Sequence, residues 1–136
     1  MILLQNSILK VDYNPATDIV EVNYPDLQGF LLPEIKNSIN QMVEVIRNYD
    51  VKKLLIDLSH TVIDVSDLES KEVSVQLAEE LKNTRLQKMA RVQPKDTEKE
   101  LKAQENIRLL REQGLLPYQL KTFTNKSSAL DWLKAD

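Results

Sequence analysis

A chain of 136 residues, 42% apolar and 29% charged, has the size and composition of one ordinary globular domain and is neither disordered nor fibrous. Its 18 basic and 21 acidic side chains give a net charge of −3 with the signs interspersed, and only one tryptophan, four tyrosines and two phenylalanines could stack on bases, so nucleic acid is not an expected partner. The absence of cysteine removes disulfides and thiol chemistry, and two glycines, Gly29 and Gly114, are too few to write a dinucleotide fingerprint or a Walker loop.

Met1-Ile2-Leu3-Leu4 is apolar, but Gln5, Asn6 and Ser7 cut it off and no basic segment precedes it, so a cleaved secretory signal is not expected. Ile2 to Leu4 either extends the first strand or forms a short one of its own. Ser7 to Tyr13 alternates apolar and polar residues, with Leu9, Val11 and Tyr13 on one face. Asp18 to Tyr24 does the same with Val20, Val22 and Tyr24, and the Asn14-Pro15-Ala16-Thr17 turn signal between them predicts a β-hairpin.

Pro33 suits the first position of a helix running to Arg47, whose Leu32, Ile35, Ile39, Met42, Val43 and Ile46 recur at helical spacing. Val51 to Leu58 reads as a strand, and its Leu54-Leu55-Ile56 run predicts burial on both faces. Ser66-Asp67-Leu68-Glu69 fits a capping box opening a second helix that runs to about Asn83, with Val73, Leu77 and Leu81 inward. Lys88 to Val92 is a short strand stopped by Pro94. Asp96 or Thr97 caps a third helix carrying Leu101, Ile107 and Leu110, with Gly114 as its stop. Tyr118 to Thr124 is the last strand, and Asn125 caps a final helix with Ala129, Leu130, Trp132 and Leu133. A hairpin followed by alternating helix and strand predicts a single α/β domain over residues 1–136, a mixed sheet packed with about four helices. No apolar run approaches the ~20 residues of a membrane-spanning helix, and a cytoplasmic location is the expectation.

Residues 53–68 read Lys-Leu-Leu-Ile-Asp-Leu-Ser-His-Thr-Val-Ile-Asp-Val-Ser-Asp-Leu. This segment resembles the centre of STAS domains, the bacterial family that includes anti-sigma-factor antagonists of the SpoIIAA type. There a buried strand ending in a Leu-Asp-Leu-Ser-like run leads into Asp-Ser-Ser-Gly-Leu at a helix start. Ile56-Asp57-Leu58-Ser59 is similar to the first part and Ile63 to Leu68 to the second. Phe123 and Ala129 to Leu133 are similar to the closing strand and helix of SpoIIAA-like and STAS/SEC14-type proteins. The resemblance implies a phosphoacceptor serine at Ser66 and a kinase or anti-sigma-like protein partner. Val65 stands where the family has its first serine, and Asp67 where it has glycine.

Each candidate residue also has a plainer reading. The Ser66 hydroxyl can simply cap the helix, worth ~1 kcal/mol. As a phosphoacceptor it would gain from the helix N-terminus, while Asp64, Asp67 and Glu69 would repel the added charge of about −1.5 to −2. Asp67 could instead supply that negative charge permanently. Asp64, Asp67 and Ser59 are the partner-binding candidates beside it. Asp57 could orient His60 as a general base, but the chain has one histidine and no second group to work with it, so Asp57 is read as bonding nearby amides. No cofactor, metal or catalytic residue is expected. Glu98, Lys99, Glu100, Lys102, Glu105, Arg108, Arg111 and Glu112 mix signs at spacings of three and four, the pattern of a solvated helix. Phe30, Leu31 and Leu32, with Leu115, Leu116 and Pro117, either close the core, line a pocket for an apolar ligand or form a dimer contact. The leading expectation is a non-enzymatic regulatory or protein-interaction module; the alternative is a carrier of a small, lipid-like apolar ligand. Homodimerisation stays open.

Overall fold

A computed structural model describes residues 1–24 and 26–135. A six-stranded sheet has the order β1 (Ile2–Gln5), β2 (Lys10–Asn14), β3 (Ile19–Asn23), β5 (Lys53–Asp57), β7 (Lys88–Val92), β8 (Gln119–Phe123). β1, β2 and β3 form an antiparallel meander, and β3, β5, β7 and β8 run parallel. The missing numbers are two-residue strands, β4 (Leu27–Gln28) and β6 (Ile63–Asp64), which pair with each other. Four helices complete the domain: α1 (Leu32–Asn48), α2 (Asp67–Leu81), α3 (Thr97–Glu112) and α4 (Lys126–Lys134). This is the mixed α/β fold expected from the sequence. Among the described residues no helix is long and apolar enough to cross a membrane.

The hairpin is longer by one strand and starts later than the alternation predicts. Asn6 Oδ1 accepts from the amides of Ile8 and Leu9, both at 2.8 Å, so residues 6–9 turn and the extended chain resumes only at Lys10. Ile2 to Gln5 is thereby a separate strand.

Side chains alternate across the sheet, so β3, β5 and β7 feed two cores. Val11, Val20, Val22, Leu54, Ile56 and Met89 face α1 and α2 in the larger core. Ile19, Leu55, Ala90 and Val92 face Ala129 and Leu133 of α4 in the smaller one. Burial of Leu54, Leu55 and Ile56 on both faces is as the sequence predicts.

Helix ends follow their local chemistry. Asp96 Oδ1 accepts from the amides of Glu98 and Lys99, and Asn125 Oδ1 from that of Ser128. α3 closes on Gly114 at φ 72°, with the Leu115 amide bonded back to Leu110 O. α1 closes the same way without glycine: Asp50 adopts φ 55°, and the Val51 amide bonds to Ile46 O. A short polar side chain tolerates this left-handed conformation.

The parallel strands advance across the sheet in one direction, with α1, α2 and α3 along a single face. No reversal of strand order occurs between them, so the crevice that forms at such a reversal in open α/β sheets is missing here.

Candidate functional site at the helix-starting edge

The carboxyl ends of the parallel strands and the N-termini of α1, α2 and α3 share one edge of the domain. Asp57 ends β5, and its Oδ1 accepts from the Ser59 amide at 2.9 Å and the Ser59 hydroxyl at 2.6 Å. Both groups are thus consumed in a local turn, as the sequence suggests for Asp57. Ser59 is half-buried in that turn. His60 is exposed, and Oδ1 of Asp57 is engaged with Ser59 rather than with it. Among the described residues no group of three or more acidic, histidine or cysteine side chains could hold a metal ion.

The loop is then stitched to the chain preceding α1. Leu27 N donates to Val62 O, Val62 N to Asp26 Oδ1 and Thr61 Oγ1 to Tyr24 O. β4 and β6 lie within this stitch, and Gly29 rests against the Glu69 side chain. Two-residue strands carry no periodicity, so the sequence gives no sign of them.

Ser66 caps α2 through a complete capping box. Its Oγ accepts from the Glu69 amide at 3.1 Å, and Glu69 Oε1 accepts from the Ser66 amide at 3.0 Å. These bonds from Ser66, backbone first, hold the Glu69 carboxyl below its usual range. Val65 is buried in the larger core and anchors the loop. Asp64, Ser66 and Asp67 are all exposed and adjacent. Asp67 has a partner that no sequence spacing announces: Lys102 of α3, whose Nζ lies 2.5 Å from Oδ2. That hydrogen bond lowers the Asp67 carboxyl and raises the Lys102 ammonium. Of the three side chains, Asp67 therefore bridges two helices.

Seven large apolar residues are exposed among those described, and four gather on this edge: Phe30 (78% exposed), Val62 (61%), Leu68 (68%) and Leu101 (72%). Phe30 does not close the core as one reading of the sequence held. The apolar stripe of α1 turns inward from Leu32, leaving Phe30 in the preceding helical turn with nothing to bury it.

A cavity of about 100 Å³ lies between the sheet, α2 and α3. Of Leu31, Leu32, Leu115 and Leu116, which the sequence leaves as core closure, pocket lining or dimer contact, only Leu116 lines this space, while Leu32 is buried in the larger core with Leu31 packed against it. Its walls are mainly apolar, with Tyr24, Tyr118 and Arg91 among them. Burial holds both tyrosine hydroxyls above their usual range; for Tyr24 the Arg91 charge offsets part of the rise. Arg91 Nη1 donates to Glu100 Oε2 at 3.1 Å and to Thr122 Oγ1 at 3.0 Å, and Nη2 donates to Glu100 Oε1 at 2.9 Å. Gln104 donates to the same carboxylate and the same threonine. Glu100 is thus buried, against the expectation of a wholly solvated α3.

Comparison with known proteins finds no family model that matches the chain and no curated protein similar to it.

Proposed function

We propose that this domain is a non-enzymatic, cytoplasmic regulatory module that binds a protein partner over the edge formed by Asp64, Ser66, Asp67 and the start of α2. One observation carries the reading: Phe30, Val62, Leu68 and Leu101 are each exposed near the starts of α1, α2 and α3 or in the loop before α2, the edge where the exposed Ser66 caps α2. Large apolar side chains left in water around a polar centre are what a contact surface needs, an apolar core with hydrogen-bonding groups to fix register. The resemblance of residues 53–68 to STAS domains supports the same edge and assigns Ser66 as the phosphoacceptor of a partner kinase. Phosphate there would lie on the free amides of α2. Ser59 stands in the loop leading to this edge, its hydroxyl bonded to Asp57.

The test is quantitative recovery of partners from host lysate on immobilised wild type, Phe30→Ser, Leu68→Ser and Tyr49→Ser, with the intact mass of the native protein read for phosphate. The two edge variants should lose a specific partner that Tyr49→Ser retains, because Tyr49 is exposed at the far end of α1. Equal recovery on all four would overturn the reading. A homodimer through the same edge would appear instead as a change in mass by light scattering, abolished by Leu68→Ser.

A further inference from the structure

We propose that the cavity between α2, α3 and the sheet binds a small uncharged molecule with a compact apolar body and one hydrogen-bond-accepting oxygen, such as a cyclic ketone or lactone. The approach to this site adjoins the protein-binding edge at Asp67, but the proposal does not rest on that reading.

The cavity is built with more polar capacity than its fold requires. Tyr118 is only 6% exposed, lines the space, and its hydroxyl forms no hydrogen bond among the described residues. That hydroxyl keeps contact with solvent in the pocket, so it can donate to a bound acceptor in place of water. The Tyr24 hydroxyl, on a half-buried residue, likewise has no hydrogen-bond partner among the described residues. Arg91 has five N–H donors and spends three, two on Glu100 and one on Thr122, leaving Nε and one Nη2 hydrogen. All of these groups can donate, so the complementary ligand atom is an acceptor.

Charge narrows the class. The guanidinium is already matched by Glu100 in a two-bond pair, so a carboxylate ligand would find no unpaired positive charge and would face the Glu100 carboxylate. A neutral carbonyl oxygen meets neither obstacle. The remaining lining, including Leu77, Met89 and Ile107, suits a hydrocarbon body. Size narrows it further. A dry cavity of roughly 150 Å³ accepts benzene, so about 100 Å³ encloses a slightly smaller body. Anything larger, a six-membered cyclic ketone included, must extend outward, and a path exists. Ile63, Ser70 and Ala103 belong both to the cavity wall and to a surface groove between α2 and α3, which Asp67 and Lys102 also line. The ion pair joining α2 to α3 therefore lies over the approach.

The experiment titrates the ¹⁵N-labelled chain with cyclohexanone and, separately, with cyclohexanecarboxylate, following amide shifts. Cyclohexanone should give saturable shifts at Ala78, Arg91 and Ala103, and the carboxylate should bind at least tenfold more weakly. Tyr118→Phe should weaken cyclohexanone about fivefold, the loss of one hydrogen bond. Ala103→Leu, which fills the space, should abolish the shifts; if it does not fold by circular dichroism, Ser74→Leu fills the opposite wall. No saturable shift at these residues, equal affinity for the anion, or an unchanged affinity in Tyr118→Phe would each overturn the proposal.

Discussion

The Arg91–Glu100 pair offers the sharpest check on how the domain is held together. Both side chains are nearly enclosed, at 10% and 11% exposure, and meet through two bonds of 2.9 and 3.1 Å. Replacing Glu100 with leucine would leave a guanidinium without its carboxylate, retaining only Thr122. Breaking a buried pair from one side costs about 3–5 kcal/mol. The neighbouring cavity can admit water to the freed guanidinium, which sets the expectation at the lower end, about 3 kcal/mol. At about 2.1 cal/mol/K per residue, a chain of this length has an unfolding entropy near 0.3 kcal/mol/K, so the loss corresponds to roughly 10 °C in Tm. Arg91→Met should cost a similar amount, since Glu100 would keep only Gln104. The double variant Arg91→Met/Glu100→Leu should return to within about 1 kcal/mol of wild type, because no charge is left buried. Urea denaturation at pH 7 of all four proteins closes the cycle. Arg108→Ala is the control, as its pairs with Glu105 and Glu112 are more than half exposed and should leave the midpoint unmoved. If Glu100→Leu shifts the midpoint no more than Arg108→Ala does, the pair is not buried in solution and α3 is not clamped to β7.

Two further predictions concern the start of α2. Ser66→Ala should cost about 0.5–2 kcal/mol in urea denaturation, while Ser66→Asp should stay close to wild type because aspartate caps equally well; a midpoint unmoved by alanine would refute the capping box. Glu69 and Asp67 have carboxyls held below their ordinary values of 4.5 and 3.8 by Ser66 and Lys102 respectively. Stability they confer is complete above those values and is lost as pH falls through the lowered ones. Glu69→Gln preserves a box acceptor but cannot titrate. Its midpoint should therefore decline less steeply than wild type between pH 5 and 3, and identical profiles would refute the assignment.

What the sequence determines here is what neighbours along the chain can decide. Alternation placed Val11, Val20 and Val22 on one face, and helical spacing laid the stripe of α1 inward. The caps at Ser66, Asp96 and Asn125 and the stop at Gly114 were all readable, because each acts within about five residues of itself. Asn6 shows the limit even at that range: its turn competes with an alternating pattern, and the hydrogen bonds won. Beyond that reach the same residues gave misleading or silent signals. Glu100 sits in a run of mixed charges and looks solvated, yet its position in the first turn of α3 sets it against Arg91 of β7. Asp67 resembles a free acid until Lys102 arrives from thirty-five positions away. Phe30 looks like core and is surface, while Leu32, two residues on, is buried in the core. Each of these depends on where one packed element stops relative to another. That distance is set by the twist of the sheet and the volumes of side chains in the layers between, quantities that no local period records.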